Sequence, residues 1–250
     1  MTGASGGGAR NSLVLILALI LAWQLLYAFV GDKALTSPLG TVRYLLALLA
    51  TGAFWLHIAE TGRAFASALA ISIVLGLFIG FAFGVNRFWG EVMEPMLVAF
   101  YSIPKITLYP IVLLAFGIGM PAKIAFGVIH GIVPVAIFTI SAVRNVRPVL
   151  VRTGRLLRLG PWRTVRKLLF PAALPEIFTG IRLGFSLTLI GTLLGEMFGS
   201  QRGLGYLLMT AIGLQNIQVI MAVTLLLVVF AATVSTVLLR IDHRLHRRAA

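Results

Sequence analysis

The sequence predicts an all-α, polytopic membrane protein with about six transmembrane helices, and three observations predict it. Hydrophobic residues make up 59% of the 250 residues and charged ones 11%, with a mean hydropathy of +1.01, whereas soluble domains are about one-quarter charged. Apolar runs near the length of about 20 residues that a helix needs to cross the hydrocarbon layer recur along the chain. The cations behind a net charge of +14 gather in blocks between those runs, as a positive-inside bias requires. Cysteine is absent, which excludes a disulfide framework and a thiolate metal site.

Residues 1–12 form a glycine-rich tail with the composition of a disordered segment. Residues 13–30 are the first run, longer than a signal-peptide core and followed by no convincing small-x-small cleavage site near Gly31, so they read as a span. Residues 41–59 are apolar but shorter, bounded by Pro38, Gly40 and His57, and read as a helix lying along the interface. Further spans follow at about 64–85, 92–118, 122–143, 177–198 and 219–239. The third of the six is interrupted by Pro104 and Pro110. The transmembrane domain is therefore 13–240, and 241–250 is a basic tail.

With the N-terminus inside, the inner segments hold Arg10, Arg87, Arg144, Arg147, Arg152, Arg155, Arg158, Arg163, Arg166, Lys167, Arg240, Arg244, Arg247 and Arg248, which is 14 of the 21 Lys and Arg residues. The other side keeps Lys33, Arg43, Arg63, Lys123 and Arg202, spread singly. Both termini then lie in the cytoplasm, which requires an even number of crossings. Glycines repeat at four-residue spacing in two series, Gly76/Gly80/Gly84 and Gly191/Gly195/Gly199/Gly203, with pairs at Gly127/Gly131 and Gly180/Gly184. Such spacing lets membrane helices approach closely, so these residues mark contact faces.

Residues 144–170 carry eight cations and no acid, too polar to span and too apolar to be a loose linker. Pro148 suits a first helical turn, and Gly160-Pro161 joins a stop signal to a start signal, so two short helices are expected. On the second, Trp162, Val165 and Leu169 share a stripe, and Pro171 and Pro175 then bend the chain back into the membrane. Nucleic acid is a poor partner, because these cations sit between spans. A topogenic loop on anionic headgroups and a protein-docking element both fit, and composition does not separate them.

The segment resembles the cytoplasmic loop of bacterial ABC importer permeases, whose pattern is Glu-Ala-Ala, three residues, Gly, nine residues, Ile, one residue, Leu-Pro. "YSIPKITLYPIVLLAFGIG", "FPAALPEIFTGIRLG" and "GEMFGSQRGLGYLL" are similar to permeases of alkanesulfonate, taurine and nitrate importers, over about residues 20–240. The resemblance implies the type I importer permease (MetI-like) fold and a place in the bacterial inner membrane. It also implies four kinds of partner: a second permease copy in a homodimer, a cytoplasmic ATPase dimer, a solute-binding protein on the opposite side, and membrane lipid. No cofactor is expected on this chain, ATP and Mg being used by the ATPase.

Counting back from Phe170-Pro171 at the Leu-Pro place puts Leu168 at the Ile, Arg158 at the Gly, and Arg152, Thr153 and Gly154 at Glu-Ala-Ala. The missing acid at Arg152 removes any salt bridge to a cation of the ATPase. Gly160 comes two residues late and is expected to supply the interhelix break. By the resemblance Arg152, Thr153, Gly154, Arg155, Arg158, Gly160, Pro161, Leu168, Phe170 and Pro171 form the coupling element, a helix-turn-helix seated in a groove of the ATPase. Related permeases carry vitamin precursors as well as small anions.

Ionisable residues within spans are costly and mark candidate sites. Glu196 lies late in the fifth span, where the family commonly carries an acid; bonding neighbouring backbone and lining the path are equally open to it. Lys105 lies near mid-depth if the third span begins near Val92 and at the headgroups if it begins near Tyr101. Ser102, Thr107, Ser186, Thr188 and Thr192 are candidate pathway lining, although Ser and Thr also bond back to their own helix. Arg182 is expected to snorkel, and His130 to be packed. Paired in-span acids, a His-x-x-x-His and a phosphate-binding Gly-Lys-Ser/Thr are all missing, so the chain does not read as an enzyme, and Gly203–Gly205 reads as a turn. A gradient-driven secondary transporter or channel would want a titratable pair or a carbonyl-rich ion site at mid-depth, for which one late Glu196 is meagre support.

Overall fold

The computed structural model describes residues 5–31 and 34–249, and every regular element among them is helical. The first helix, α1 (Ser5–Val30), starts at Ser5, so the described part of the tail expected to be disordered is helical. Trp23 Nε1 donates to Thr36 O at 3.0 Å, tying α1 to the turn before α2 (Pro38–Leu49). Ser37 caps α2, its Oγ accepting from Gly40 N at 3.1 Å, and Pro38 needs no partner in the first turn.

The expected interfacial helix over 41–59 divides. It ends at Leu49, Thr51 Oγ1 donating back to Leu48 O at 2.6 Å, and α3 (Gly52–Gly84) absorbs the remainder, so the second span begins well before Ala64. After an Asn86-capped turn, α4 (Arg87–Ser102) and α5 (Tyr109–Phe116) flank a 3₁₀ turn at Lys105–Leu108 and meet at 85°. The interruption expected at Pro104 and Pro110 is thus a sharp break. Then α6 (Met120–Arg144) runs through the middle of the bundle.

The basic segment holds α7 (Pro148–Leu156) and α8 (Pro161–Thr164), and α8 passes through a π-helical turn at Val165–Leu169 into α9 (Phe170–Gly199). No bend back occurs at Pro171 or Pro175: Trp162–Gly199 is one helix of 38 residues. A proline inside a helix clashes with the carbonyl four residues back and leaves it unbonded. Here the widened turn, with Phe170 N bonding Val165 O, absorbs that clash just before Pro171.

A short helix not expected from sequence, α10 (Leu204–Gly213), precedes α11 (Ile217–Ala249). The described part of the tail at 241–250 is therefore the end of α11. Among the described residues four helices are long and apolar enough to span, or five with the α4/α5 pair as one span. α1 has 26 residues, about 39 Å of helix against a core of about 30 Å, and the apolar stretch Val14–Val30 lies within the expected first span.

The glycine series are the seams of the bundle. A Cβ on Gly76 of α3 would sit 2.7 Å from Val135 Cβ of α6, and one on Gly84 3.1 Å from Val143 Cβ, with Gly80 against Thr139 between them. From the other side, Cβ atoms on Gly184 and Gly191 of α9 would lie 2.8 Å from Val135 Cγ2 and His130 Cγ of α6. Backbones this close leave room for nothing larger than glycine, so α6 is sandwiched between α3 and α9.

Candidate functional site

The basic segment folds into a helix-turn-helix. Its turn is made by Arg158, in the left-handed region at φ 49, where Leu159 N closes α7 by donating to Gly154 O at 3.0 Å. This is a six-to-one closure with the left-handed residue just past the helix. Arg158 therefore makes the break expected of Gly160, at the place where the family pattern carries glycine. Gly160 instead starts α8, its carbonyl accepting from Thr164 N at 2.9 Å.

Gly154 is buried, and a Cβ there would lie 3.0 Å from Leu168 Cδ1, so the small residue lets α7 pack on the turn leading into α9. Arg152 and Arg158 are exposed, as are Leu156 at 83% and Trp162 at 74%. Of the stripe Trp162, Val165 and Leu169, only Leu169 is buried, Val165 being half-buried and Trp162 exposed. Phe170 stacks on Phe81 of α3, ring centres 6.0 Å apart, and Pro171 opens α9. The side chains of Thr153, Arg155 and Pro161 lie outside the described residues.

The candidate pathway residues fall into two groups. At the α4/α5 break, Ser102 and Thr107 are exposed and donate to Val98 O at 3.0 Å and Pro104 O at 2.8 Å. Lys105 is nearly buried; its Nζ donates to Tyr101 O at 2.9 Å and lies 4.8 Å from the centre of the Tyr101 ring, a carbonyl and a π-face holding one ammonium. On α9, Ser186 is half-buried, whereas Thr188, Thr192 and Glu196 are fully buried. Thr188 packs on Gly131 and Thr192 on Gly127 of α6. The structure does not bring the two groups together.

Glu196 is enclosed by partners. Thr61 Oγ1 donates to its carboxylate at 2.8 and 3.0 Å, Gly205 N donates at 2.9 Å, and Lys123 Nζ lies 3.9 Å away. Lys123, whose side chain is 1% exposed, pairs with Glu60 at 2.9 Å and donates to Arg202 O at 2.8 Å. Thr61 Oγ1 also accepts from Leu204 N at 2.8 Å, and Gly203 N meets His57 Nδ1 at 3.1 Å. The expected loop cation Lys123 is instead the centre of a buried knot joining α3, α6 and the α9–α10 turn. Glu60, Thr61 and His57 were missed; the run "HIAETGR", polar residues within an apolar stretch, is the signal that marks them.

At the basic end, Arg182, expected to snorkel, pairs with Asp242 of α11 at 3.4 Å, and Thr179 Oγ1 donates to the same carboxylate at 3.0 Å. Arg144 pairs with Glu94 of α4 at 2.6 Å. His130 is packed, its Nδ1 2.8 Å from Phe126 O, and among the described residues no group of His, Asp or Glu is arranged to hold a metal.

A family described as binding-protein-dependent transport system inner membrane component matches residues 72–250. The chain belongs to this family. It is the transmembrane permease subunit of a binding-protein-dependent importer. The permease is 30% identical over 232 residues to a probable ABC transporter permease protein of Haemophilus influenzae, covering 86% of this chain and 88% of that one. It is 28% identical over 206 residues to a putative aliphatic sulfonates transport permease protein, SsuC, of Bacillus subtilis, covering 82% and 75%. Its fold is similar to a chain of the inward-facing MetNI methionine ABC transporter, with a TM-score of 0.66 at 22% identity, over 76% of this chain and 96% of that chain.

Proposed function

We propose that the permease works as a homodimer importing a small anion such as a sulfonate, taurine or nitrate, and that a separate ATPase dimer drives it through residues 144–170. ATP and Mg are used on that partner, and a solute-binding protein delivers the cargo from the opposite side. Both permease termini lie in the cytoplasm. The observation that carries this reading is mechanical. The exposed helix-turn-helix is continuous with α9, which packs along α6 on Gly184, Gly191 and Gly195. A push on α7 and α8 is carried by an unbroken helix of 38 residues into the centre of the bundle as a rigid-body motion.

Coupling runs through Arg152, Thr153, Gly154, Arg155, Arg158, Gly160, Pro161, Leu168, Phe170 and Pro171, of which Gly154 and Leu168 hold the two helices together. The pathway follows the α4/α5 break, with Ser102 and Thr107 in reach of solute and Lys105 supplying positive potential to an anion. Ser186, Thr188, Thr192 and Glu196 lie on α9, apart from that break, and act on the path through α6, on which Thr188 and Thr192 pack, while Glu196 holds the outer turn in shape. The sulfonate assignment draws on the relative from Bacillus subtilis.

Copurification tests the reading. Wild-type permease is expected to retain a cytoplasmic ATPase subunit, and Leu156→Asp with Leu157→Asp to lose both that subunit and uptake while still inserting in the membrane. Uptake by this chain alone, driven by an ion gradient, overturns the proposal.

A further inference from the structure

Two exposed features meet at the basic end of the bundle. The last turns of α3 and the start of the α8–α9 helix enclose a groove of about 660 Å³. Leu77, Phe78 and Ala82 of α3 form its floor, Trp162 and Phe170 its far wall, and Arg166 is the one charged side chain lining it. Phe78 is 70% exposed, an unpartnered aromatic. Arg166 is exposed, as are Arg163 and Lys167 on the same helix. Among the described residues no carboxylate pairs with any of the three, whereas Arg144 and Arg182 at the same end each have one.

We propose that this groove holds one anionic phospholipid, an acyl chain against Leu77, Phe78 and Ala82 and the headgroup phosphate on Arg166. Depth selects a lipid over a water-borne protein. Phe78 lies seven residues before Val85, where the span read from the sequence ends, about 10 Å along the helix axis, a depth that only membrane components reach. Charge selects a lipid over a second copy of the chain, whose corresponding end carries the same excess of arginine and would add like charge. The amphipathic Trp162 lies where the two zones meet, as interfacial aromatics do, and basic pockets beside membrane helices recognise anionic headgroups in this way. The site requires only that the chain spans a membrane; although it shares Phe170 with the coupling element, it is tested on the permease without the ATPase, so its failure leaves the proposed function standing.

The test uses the full chain with Trp23, Trp55 and Trp89 replaced by Phe, reconstituted in nanodiscs, with Trp162 fluorescence as the readout. Phosphatidylglycerol brominated near the carbonyl end of its acyl chain is compared with phosphatidylcholine brominated alike, at the same mole fraction. The expected result is an apparent affinity about fivefold higher for phosphatidylglycerol, the effect of roughly one cation at a membrane surface. Arg166→Gln is expected to remove that preference, Arg147→Gln to keep it, and Ala82→Phe, which fills the floor without touching charge, to lower quenching by both lipids. Equal quenching by the two lipids in the otherwise unaltered chain, or a preference that survives Arg166→Gln, overturns the site, and so does quenching unaffected by Ala82→Phe.

Discussion

Arg158 occupies a backbone conformation that costs a residue with a Cβ about 1–2 kcal/mol, and nothing larger than hydrogen is needed where its φ is 49. Arg158→Gly is expected to stabilise the turn by up to about 1 kcal/mol, the greater unfolded-state freedom of glycine offsetting part of the relief. Slower hydrogen exchange at the Leu159 amide, the one that closes α7, checks it. Lys123 presents the opposite case, a charge whose burial is tolerable only because Glu60 lies 2.9 Å and Glu196 3.9 Å away. Lys123→Met leaves Glu196 without its cation and should cost about 3–5 kcal/mol. Adding Glu196→Gln should cost less than the sum of the two single changes, a coupling read from a double-mutant cycle of unfolding in detergent.

Among the elements, α6 bears the tightest packing, and the cost of widening its seams is steep because lipid gives helices no hydrophobic drive to reassemble. Gly80→Leu inserts a side chain where even a Cβ meets Thr139, and should destabilise the bundle by at least about 1–3 kcal/mol, seen as a lower unfolding temperature. The π-helical turn at Val165–Leu169 sets how α8 faces relative to α9. Deleting Val165 should restore α-helical register and turn α8 by about 100° against α9. The expected outcome is normal membrane insertion with loss of ATPase binding, measured by copurification.

Across the whole molecule the basic blocks define one end, and a chain without cysteine lets each side be labelled singly. Cysteine at exposed Gln201 is expected to react with an impermeant reagent in intact cells, and cysteine at Arg152 only after the membrane is opened. The reverse pattern would put the helix-turn-helix beyond the reach of a cytoplasmic motor.

Much of this plan is legible in sequence because hydrophobic length, cation placement and glycine spacing act locally or at fixed helical periods. Gly76, Gly80 and Gly84 can be read as one contact face before any partner is known, since a four-residue repeat keeps them on one side of α3. The Glu60–Lys123–Glu196 knot cannot, because its members are far apart in the chain and meet only when three helices pack. Sequence alone determined the helical membrane class, the basic end and the family. Tertiary structure decided that Lys123 is buried rather than in a loop, that α8 continues into α9, and that Arg182 has a partner in Asp242. The reason is common to all three: a charge in a membrane bundle is placed by the partners that folding brings to it, and hydropathy sees only the residue's own cost.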